Sequence, residues 1–384
     1  MGFFATPAIY NLSAQDANGN EWSAKNVRVI FTGLTLRIVT HSLTLISSRG
    51  VEFIEPALNE AALTLGSVDY VLPNEQGRKA WLNHVANSPI SLDYEPAAIF
   101  DIEGFDISIS RDKYKNLTVT VASEKEITEA FISCLYQSLR FVYGRTLDRQ
   151  AYSSKTLETR TLTTELQRHV SGSRTDPSIA PIRIDRGHEP EDFWRLFELF
   201  LRYVIAPQPS DHDYILQSVW SVNEAWYASI DSIGLLIAVA VEGVLREKFS
   251  KYGMRSNELA SDILAIIPCI DEADINPRSK ARIKGLLPTN ESRFYPAEAL
   301  ERLAEMGMVP AHLVELWMQV RNKRAHGQKH NLQDIAGLRK LTGENYYILQ
   351  LYYYLVYFVI GYYGKYTDYS QPDFPENDLD KVEL

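Results

Sequence analysis

The chain has 384 residues, of which 45% are hydrophobic and 23% are charged, and its formal net charge is −10. This length favours two domains over one, and the acidic balance excludes a protein that binds nucleic acid over its whole surface. The only cysteines, Cys134 and Cys269, are too few for a disulfide framework, so we expect a cytoplasmic protein.

The N-terminal part of the sequence is rich in strand patterns. Short apolar runs separated by Gly, Ser, Asn and Asp recur over residues 27–121, and FDISIS at 105–110 alternates apolar and polar residues. This alternation is typical of an antiparallel strand with one face on a core and the other in water. We expect a mainly antiparallel β module, interrupted by a short helix at Gly77–Ala86.

A packed helix should complete this module. Ser123 followed by Glu126 predicts a capping box, and the helix that it opens should end at Gly144. We therefore assign residues 1–144 to a β-rich N-terminal domain. Residues 145–188 are polar and rich in Ser, Thr and Arg, and we interpret them as a connector or an edge hairpin.

Helical patterns run from residue 189 almost to the C-terminus. Apolar spacing predicts helices at 189–206, 213–227, 229–250, 257–267, 296–306, 309–325 and 344–364. We assign residues 189–366 to a helical domain, and residues 367–384, which are acidic and interrupted by proline, to a loose tail. The predicted fold class is α+β with two domains.

One predicted helix is unusually apolar. Residues Tyr346–Tyr363 carry no charge over a length that could cross a bilayer. Tyrosines gather at the two ends of membrane spans, whereas here they continue through the middle. We therefore expect no membrane contact, and instead a helix buried in protein or at a dimer contact.

The sharpest chemical pattern is LWMQVRNKRAHG at residues 316–327, which places Arg321 five residues before His326. Arginine can hold a phosphate with two parallel hydrogen bonds, and histidine exchanges protons near neutral pH. Side chains five residues apart point about 140° apart on a regular helix, so these two converge only if the helix ends near His326. Gly327 favours such an end.

With the preceding apolar helix IAVAVEGVLRE, the motif resembles the HEPN superfamily, whose helical bundles carry an Arg, a short spacer and a His. The resemblance covers roughly residues 213–363 and makes residues 251–310 an insertion in the bundle. It implies a metal-independent endoribonuclease, without cofactors, that works as a homodimer through the bundle. The order of a strand-rich module and then a HEPN bundle is similar to ApeA-type phage-defence proteins.

The resemblance implies catalytic roles for Arg321 and His326, with Asn322 orienting them. Glu242 takes the place of a polar residue on the partner helix, and His330 is auxiliary. We assign contacts with the RNA backbone to the basic residues beside the motif, Lys323, Arg324 and Lys329. The expected partners are RNA, with tRNA as a candidate, and a phage-derived trigger that the N-terminal domain senses.

Other interpretations stay open from the sequence. Arg321 can form a structural salt bridge to Glu242, His326 can cap the helix end, and the basic patch can be a solvated face. Asp101, Glu103 and Asp106 suggest a metal site, but Asp101 and Glu103 also alternate simply along a predicted strand edge, and we do not expect a metal. Some HEPN relatives have lost cleavage, so the alternative function is a non-cleaving interaction or nucleotide-binding regulatory protein.

Overall fold

The structure is a computed structural model that describes residues 9–15, 21–32, 35–39, 43–47, 59–66, 71–80, 98–111, 117–155, 160–164, 179–183, 190–206, 214–253, 257–286, 294–325 and 334–380. The chain divides into two compact units, unit 1 at Met1–Ala206 and unit 2 at Pro207–Leu384. Unit 1 carries all the strands of one large sheet, and unit 2 is mostly helical, so the α+β class is confirmed.

Among its described residues, unit 1 contains an antiparallel sheet of ten strands. The strands are β1 (Ile9–Gln15), β2 (Glu21–Thr32), β3 (Thr35–Val39), β4 (Leu43–Ser47), β5 (Asn59–Gly66), β6 (Ala98–Ile102), β7 (Phe105–Arg111), β8 (Leu117–Ser123), β9 (Asp148–Lys155) and β10 (Arg160–Thr164). Their order is β1-β2-β4-β10-β9-β5-β8-β7-β6, and β3 pairs with β2.

The alternating sequence of β7 folds as predicted. Ile107 and Ile109 are buried, whereas Asp106 between Phe105 and Ile107 is exposed. Ile107 lies opposite Val121 of β8 in the register, and Val121 is also buried. One face of these strands therefore forms the core of unit 1, because the side chains of a strand alternate between the two faces of its sheet.

The hairpin of β9 and β10 corrects the prediction for residues 145–188. These strands pair with each other and also with β5 and β4, so they lie inside the sheet and not at an edge. Their Ser- and Thr-rich sequence suits a strand but does not reveal its neighbours. The interior position comes from long-range main-chain pairing, which a local pattern cannot show.

Two helices accompany the strands of the sheet between residues 75 and 143. Residues 75–80 form helix α1, and Gly77 N donates to Asn74 Oδ1 at 2.8 Å at its start. Residues 81–86 of the predicted helix lie outside the described residues. Helix α2 (Glu129–Tyr143) ends as predicted at Gly144, which adopts the left-handed conformation with φ 59°.

The start of α2 differs from the prediction. Thr128 caps it, because its side chain accepts from the backbone N–H of Phe131. Ser123 instead belongs to the end of β8, where its hydroxyl donates to Gly104 O at 2.7 Å and accepts from Lys125 N. A short Ser or Thr side chain suits both a helix cap and a turn, so the presence of Ser123 alone did not determine where the helix begins.

Helix α3 (Pro190–Ile205) corrects the predicted domain boundary at residue 189. It lies in unit 1, where Phe197 contacts Phe100 and Phe200 stacks on Phe141 with ring centroids 4.3 Å apart. Trp194 also donates its indole N–H to the carbonyl of Leu72. The boundary between the compact units is therefore at residue 206.

Unit 2 contains seven described α-helices. They are α4 (Tyr214–Ala225), α5 (Ile230–Lys248), α6 (Asn257–Glu272), α7 (Pro277–Leu286), α8 (Pro296–Glu305), α9 (Ala311–Ala325) and α10 (Ile335–Ile360). Helix α5 packs against α4, α9 and α10, which makes it the central helix of the unit. Helix α10 begins nine residues before its predicted start at residue 344.

The tyrosine-rich part of α10 is buried inside unit 2. Tyr352, Tyr353 and Tyr357 are at most 2% exposed. Ser218 of α4 and Tyr352 share a hydrogen bond of 2.9 Å. These tyrosines are therefore core residues of the chain, and they are not the dimer contact that was the alternative. Among the described helices, none is long and apolar enough to cross a membrane.

The predicted loose tail is wrong for residues 367–380. A hairpin of β11 (Gly364–Thr367) and β12 (Glu376–Leu379) follows α10, and Thr367, Asp368 and Tyr369 are at most 3% exposed. The Tyr369 backbone N–H donates to Gln350 Oε1 at 2.8 Å. Acidic composition suggested disorder, but buried aromatic and hydrogen-bonded residues between the charges hold this segment on α10.

Candidate functional site

The motif arginine is held by a carboxylate on the neighbouring helix. Arg321 lies on the last described turn of α9. Its Nε donates to Glu242 Oε2 of α5 at 3.0 Å, and its Nη2 forms an ion pair with the same oxygen at 2.9 Å. The Arg321 side chain is 42% exposed and that of Glu242 is 21% exposed. Nη1 of Arg321 has no partner among the described residues, so this edge of the guanidinium can still bind an anion.

Glu242 is itself shared between two arginines. Its Oε1 accepts from Arg246 Nη2 at 3.3 Å, one turn along α5. Tyr214 of α4 packs over Gly243, since a Cβ placed on Gly243 would overlap the tyrosine ring. Burial and the negative charge of Glu242 raise the pKa of the Tyr214 hydroxyl, which favours its neutral form.

An indole ring lies beside the Arg321 guanidinium. The Trp317 ring centroid is 5.9 Å from Cζ of Arg321, within the range of a cation–π contact. The ring is fixed because Trp317 is 2% exposed and its Nε1 donates to the Ala238 carbonyl at 3.2 Å. Arg321 is thus positioned by a carboxylate on α5 and by an aromatic ring one turn earlier on α9.

Arg324 does not lie in a solvated basic patch, which corrects its predicted contact with the RNA backbone. Its side chain is 4% exposed, and its guanidinium donates to Asn345 Oδ1 at 2.6 Å and to Glu344 Oε2 at 3.1 Å. A further bond reaches the Asp231 carbonyl at 3.3 Å. Arg324 therefore joins the start of α5 to α10, and this role is structural.

The other predicted site residues fall into two groups. Asn322 and Lys323 are exposed on α9, and the side chain of Asn322 makes no hydrogen bond to another described residue. His326, Lys329 and His330 lie outside the described residues. The structure thus describes the arginine half of the motif, while the convergence of His326 on Arg321 stays a prediction.

Two contributors were not found from the sequence. Arg246 lies four residues after Glu242, a spacing that brings side chains together on one helix face, so its position was available as a signal. Tyr214 gave no such signal, because its contact depends on how α4 crosses α5. Among the described residues, no group of three His, Cys, Asp or Glu side chains could hold a metal ion.

Comparisons with protein-family models, with curated protein sequences and with solved structures found no match for this chain.

Proposed function

We propose that the protein is a metal-independent endoribonuclease whose active site is built around Arg321 and His326. The observation that carries the proposal is the half-exposed Arg321 guanidinium, which Glu242 and Trp317 hold in one orientation while Nη1 stays available. His326 follows one residue after the described end of α9. A preoriented arginine beside a histidine matches the requirements of phosphodiester cleavage.

The proposed reaction is attack of an RNA 2′-hydroxyl on the adjacent phosphate. His326 of one chain removes the 2′-hydroxyl proton, and a second His326 protonates the departing 5′-oxygen. Arg321 stabilises the negative charge that develops on the phosphorane oxygens. The products are a 2′,3′-cyclic phosphate and a 5′-hydroxyl, and the reaction consumes no water in this step.

Two acid–base groups require two copies of the motif, so the proposal includes a homodimer formed through the helical bundle. Exposed apolar residues lie beside the site on α5, where Leu236 is 44% and Val239 is 53% exposed. Val239 precedes Glu242 by three residues and therefore lies near the same helix face. Association through these residues would place two Arg321–Glu242 pairs close together.

Unit 1 takes the sensing role in this proposal. A phage-derived trigger that binds the ten-stranded sheet would release or assemble the cleaving unit of a toxin or abortive-infection system in the cytoplasm. The RNA partner is proposed as tRNA, and its backbone contact falls to the exposed Lys323 together with Lys329, since Arg324 is buried.

A non-cleaving interaction or nucleotide-binding regulatory protein is the second candidate. The net charge of −10 and the burial of Arg324 favour it, because both weaken a long RNA contact. The ion pair between Arg321 and Glu242 also has a purely structural interpretation. Cleavage distinguishes the two candidates directly.

The test incubates purified protein with total tRNA in EDTA, with and without an extract of phage-infected bacteria. Polynucleotide kinase then labels new 5′-hydroxyl ends without prior phosphatase treatment. We expect His326→Ala to lower the cleavage rate by about 10²–10⁴-fold and Arg321→Ala by about 10²–10³-fold. His312→Ala is the matched control, because His312 is an exposed histidine at the start of the same helix.

A dominance experiment tests the paired site. Excess His326→Ala chain should suppress wild-type cleavage by forming mixed dimers, whereas the same chain carrying Val239→Glu as well should not. Absence of cleavage with and without the extract would contradict the nuclease and favour the second candidate. Cleavage that survives His326→Ala would mean that another group performs the proton transfer.

A further inference from the structure

Helices α6 and α7 form a hairpin with an unusual amount of exposed apolar surface. Of the described side chains between residues 262 and 285, none is buried. Leu264 is 54% and Ile266 is 47% exposed on α6, and Ile283 is 38% exposed on α7. Leu264 and Ile266 are two residues apart and therefore lie on different sides of α6, whereas Ile266 follows Asp262 by four residues on the same face. This face of α6 thus exposes an apolar and an acidic side chain together.

The two helices are tied to each other at the tip of the hairpin. Lys280 Nζ donates to the Asp271 carbonyl at 2.6 Å, and Lys284 forms an ion pair with the Asp271 carboxylate. The backbone N–H of Arg278 donates to Asn276 Oδ1 at 2.8 Å, which caps the start of α7. The hairpin is therefore a defined element that presents both helices together.

Charge is divided between the two helices. Helix α6 and the following turn contain only acidic charges, at Glu258, Asp262, Asp271, Glu272 and Asp274, whereas α7 contains only basic ones, at Arg278, Lys280, Arg282 and Lys284. Arg278 and Arg282 lie four residues apart on one face of α7 and are exposed. Neither guanidinium is paired with another described residue, so this basic face is free to meet an acidic one.

We propose that the α6–α7 hairpin is a self-association surface, on which α6 of one chain packs against α7 of a second copy. A two-fold axis repeats the contact, so α7 of the first chain meets α6 of the second and both charge sets are matched. Ile266 contributes to the apolar centre of this contact, and the charges form its rim. RNA would match only α7, because the acidic α6 beside it repels phosphate.

This surface is separate from the α5 residues used in the proposed function, and it does not depend on ribonuclease activity. Its test therefore measures mass and not cleavage. The experiment uses the full chain in two charge-reversed forms. The acidic hairpin carries Arg278→Glu and Arg282→Glu, and the basic hairpin carries Asp262→Lys and Glu272→Lys.

Light scattering during size-exclusion chromatography measures the mass of each form. We expect each reversed form alone to have half the wild-type mass and a dissociation constant raised by about a hundredfold. An equimolar mixture should recover the wild-type mass, because the acidic α7 then meets the basic α6. Arg339→Glu with Lys340→Glu is the matched control, since it makes the same charge change at exposed positions of α10.

Ile266→Ser tests the apolar centre and should also halve the mass, while far-UV circular dichroism confirms that the helices persist. The proposal is overturned if the reversed forms keep the wild-type mass, or if the mixture fails to restore it. If the form with Arg278→Glu and Arg282→Glu keeps the wild-type mass but binds RNA less tightly than the wild type, the proposal is overturned in favour of a nucleic-acid contact.

Discussion

Two arginines of one motif have opposite environments. Arg321 is 42% exposed and orients toward Glu242, whereas the side chain of Arg324 is 4% exposed between the start of α5 and α10. The sequence presents both as cations beside a histidine, and only the packing of α9 distinguishes them. The residue that holds the fold and the residue available for chemistry are thus one helical turn apart.

Replacing Arg324 should therefore affect stability more than replacing its exposed neighbour. We expect Arg324→Ala to lower the free energy of unfolding by about 3 kcal/mol, because Asn345, Glu344 and the Asp231 carbonyl lose a shared donor. Lys323→Ala should change it by less than about 0.5 kcal/mol. Urea unfolding followed by far-UV circular dichroism measures both, and equal values would mean that the Arg324 contacts contribute nothing.

At the scale of elements, α5 connects most of unit 2 through two small residues. A Cβ on Gly234 would overlap the Arg324 guanidinium and the Asn345 amide, and one on Gly243 would overlap Tyr214. Glycine at these positions lets α9, α10 and α4 approach the α5 backbone closely. The same helix carries Glu242, so close packing and the position of the candidate site depend on one element.

Alanine at Gly234 is expected to separate α5 from its neighbours. Gly234→Ala should lower the free energy of unfolding by about 2 kcal/mol, since the added methyl group has no space. Gly343→Ala in α10 is the control, because a Cβ there meets nothing within 4 Å, and it should raise that free energy by about 0.5–1 kcal/mol. A rise of similar size in both variants would show that helix propensity, and not the contact at Gly234, determines the change in the free energy of unfolding.

The buried tyrosines of α10 predict how stability changes at alkaline pH. Burial raises the pKa values of Tyr353, Tyr354 and Tyr357 above the ordinary value of 10.0, and the hydrogen bond between Tyr354 and Tyr366 adds to the rise. The unfolded chain ionises these groups near pH 10 while the folded chain keeps them neutral. Relative to high pH, these tyrosines therefore contribute their full stabilisation of the folded state below about pH 10. This stabilisation is lost as the pH rises toward the pKa values that the tyrosines have in the folded chain.

Tyr357→Phe should reduce this alkaline loss. Between about pH 9 and pH 11 the free energy of unfolding should fall by about 1 kcal/mol less than in the wild type, because one buried phenol no longer titrates. Urea titrations at each pH measure the slope of the free energy of unfolding against pH. Tyr363→Phe, at an exposed position, should leave the slope unchanged, and an unchanged slope for Tyr357→Phe as well would argue against burial as the cause.

Local sequence patterns were sufficient to predict most helices and strands, but not which elements pack or pair with one another. The alternation of β7, the end of α2 at Gly144 and most helices of unit 2 follow from periodicity and capping. The interior position of β9 and β10 and the burial of Arg324 depend on residues far away in the chain. The contact between Arg321 and Glu242 was one of two sequence interpretations, and its geometry needed the crossing of α5 and α9.

For the whole molecule, the least predictable feature was which unit would bury α3. Its apolar face of Phe193, Trp194, Phe197 and Phe200 suits any core, so periodicity alone joined it to the helices that follow. In the structure those residues are at most 2% exposed within unit 1. The sequence pattern groups residues 190–206 with the helices that follow, whereas the structure places them in unit 1. The boundary between the units therefore lies after α3.

This boundary predicts a difference between two fragments of the chain. Fragment 207–384 should retain helical circular dichroism and unfold cooperatively, because the helices of unit 2 bury their own core. Fragment 190–384 adds α3 without its partners Phe100, Phe141 and Tyr143, so its aromatic face is exposed to water. We expect this longer fragment to bind more of a hydrophobic dye and to aggregate at a lower temperature. If it is instead the more stable of the two and binds no extra dye, α3 belongs with the C-terminal helices, as the sequence pattern alone suggested.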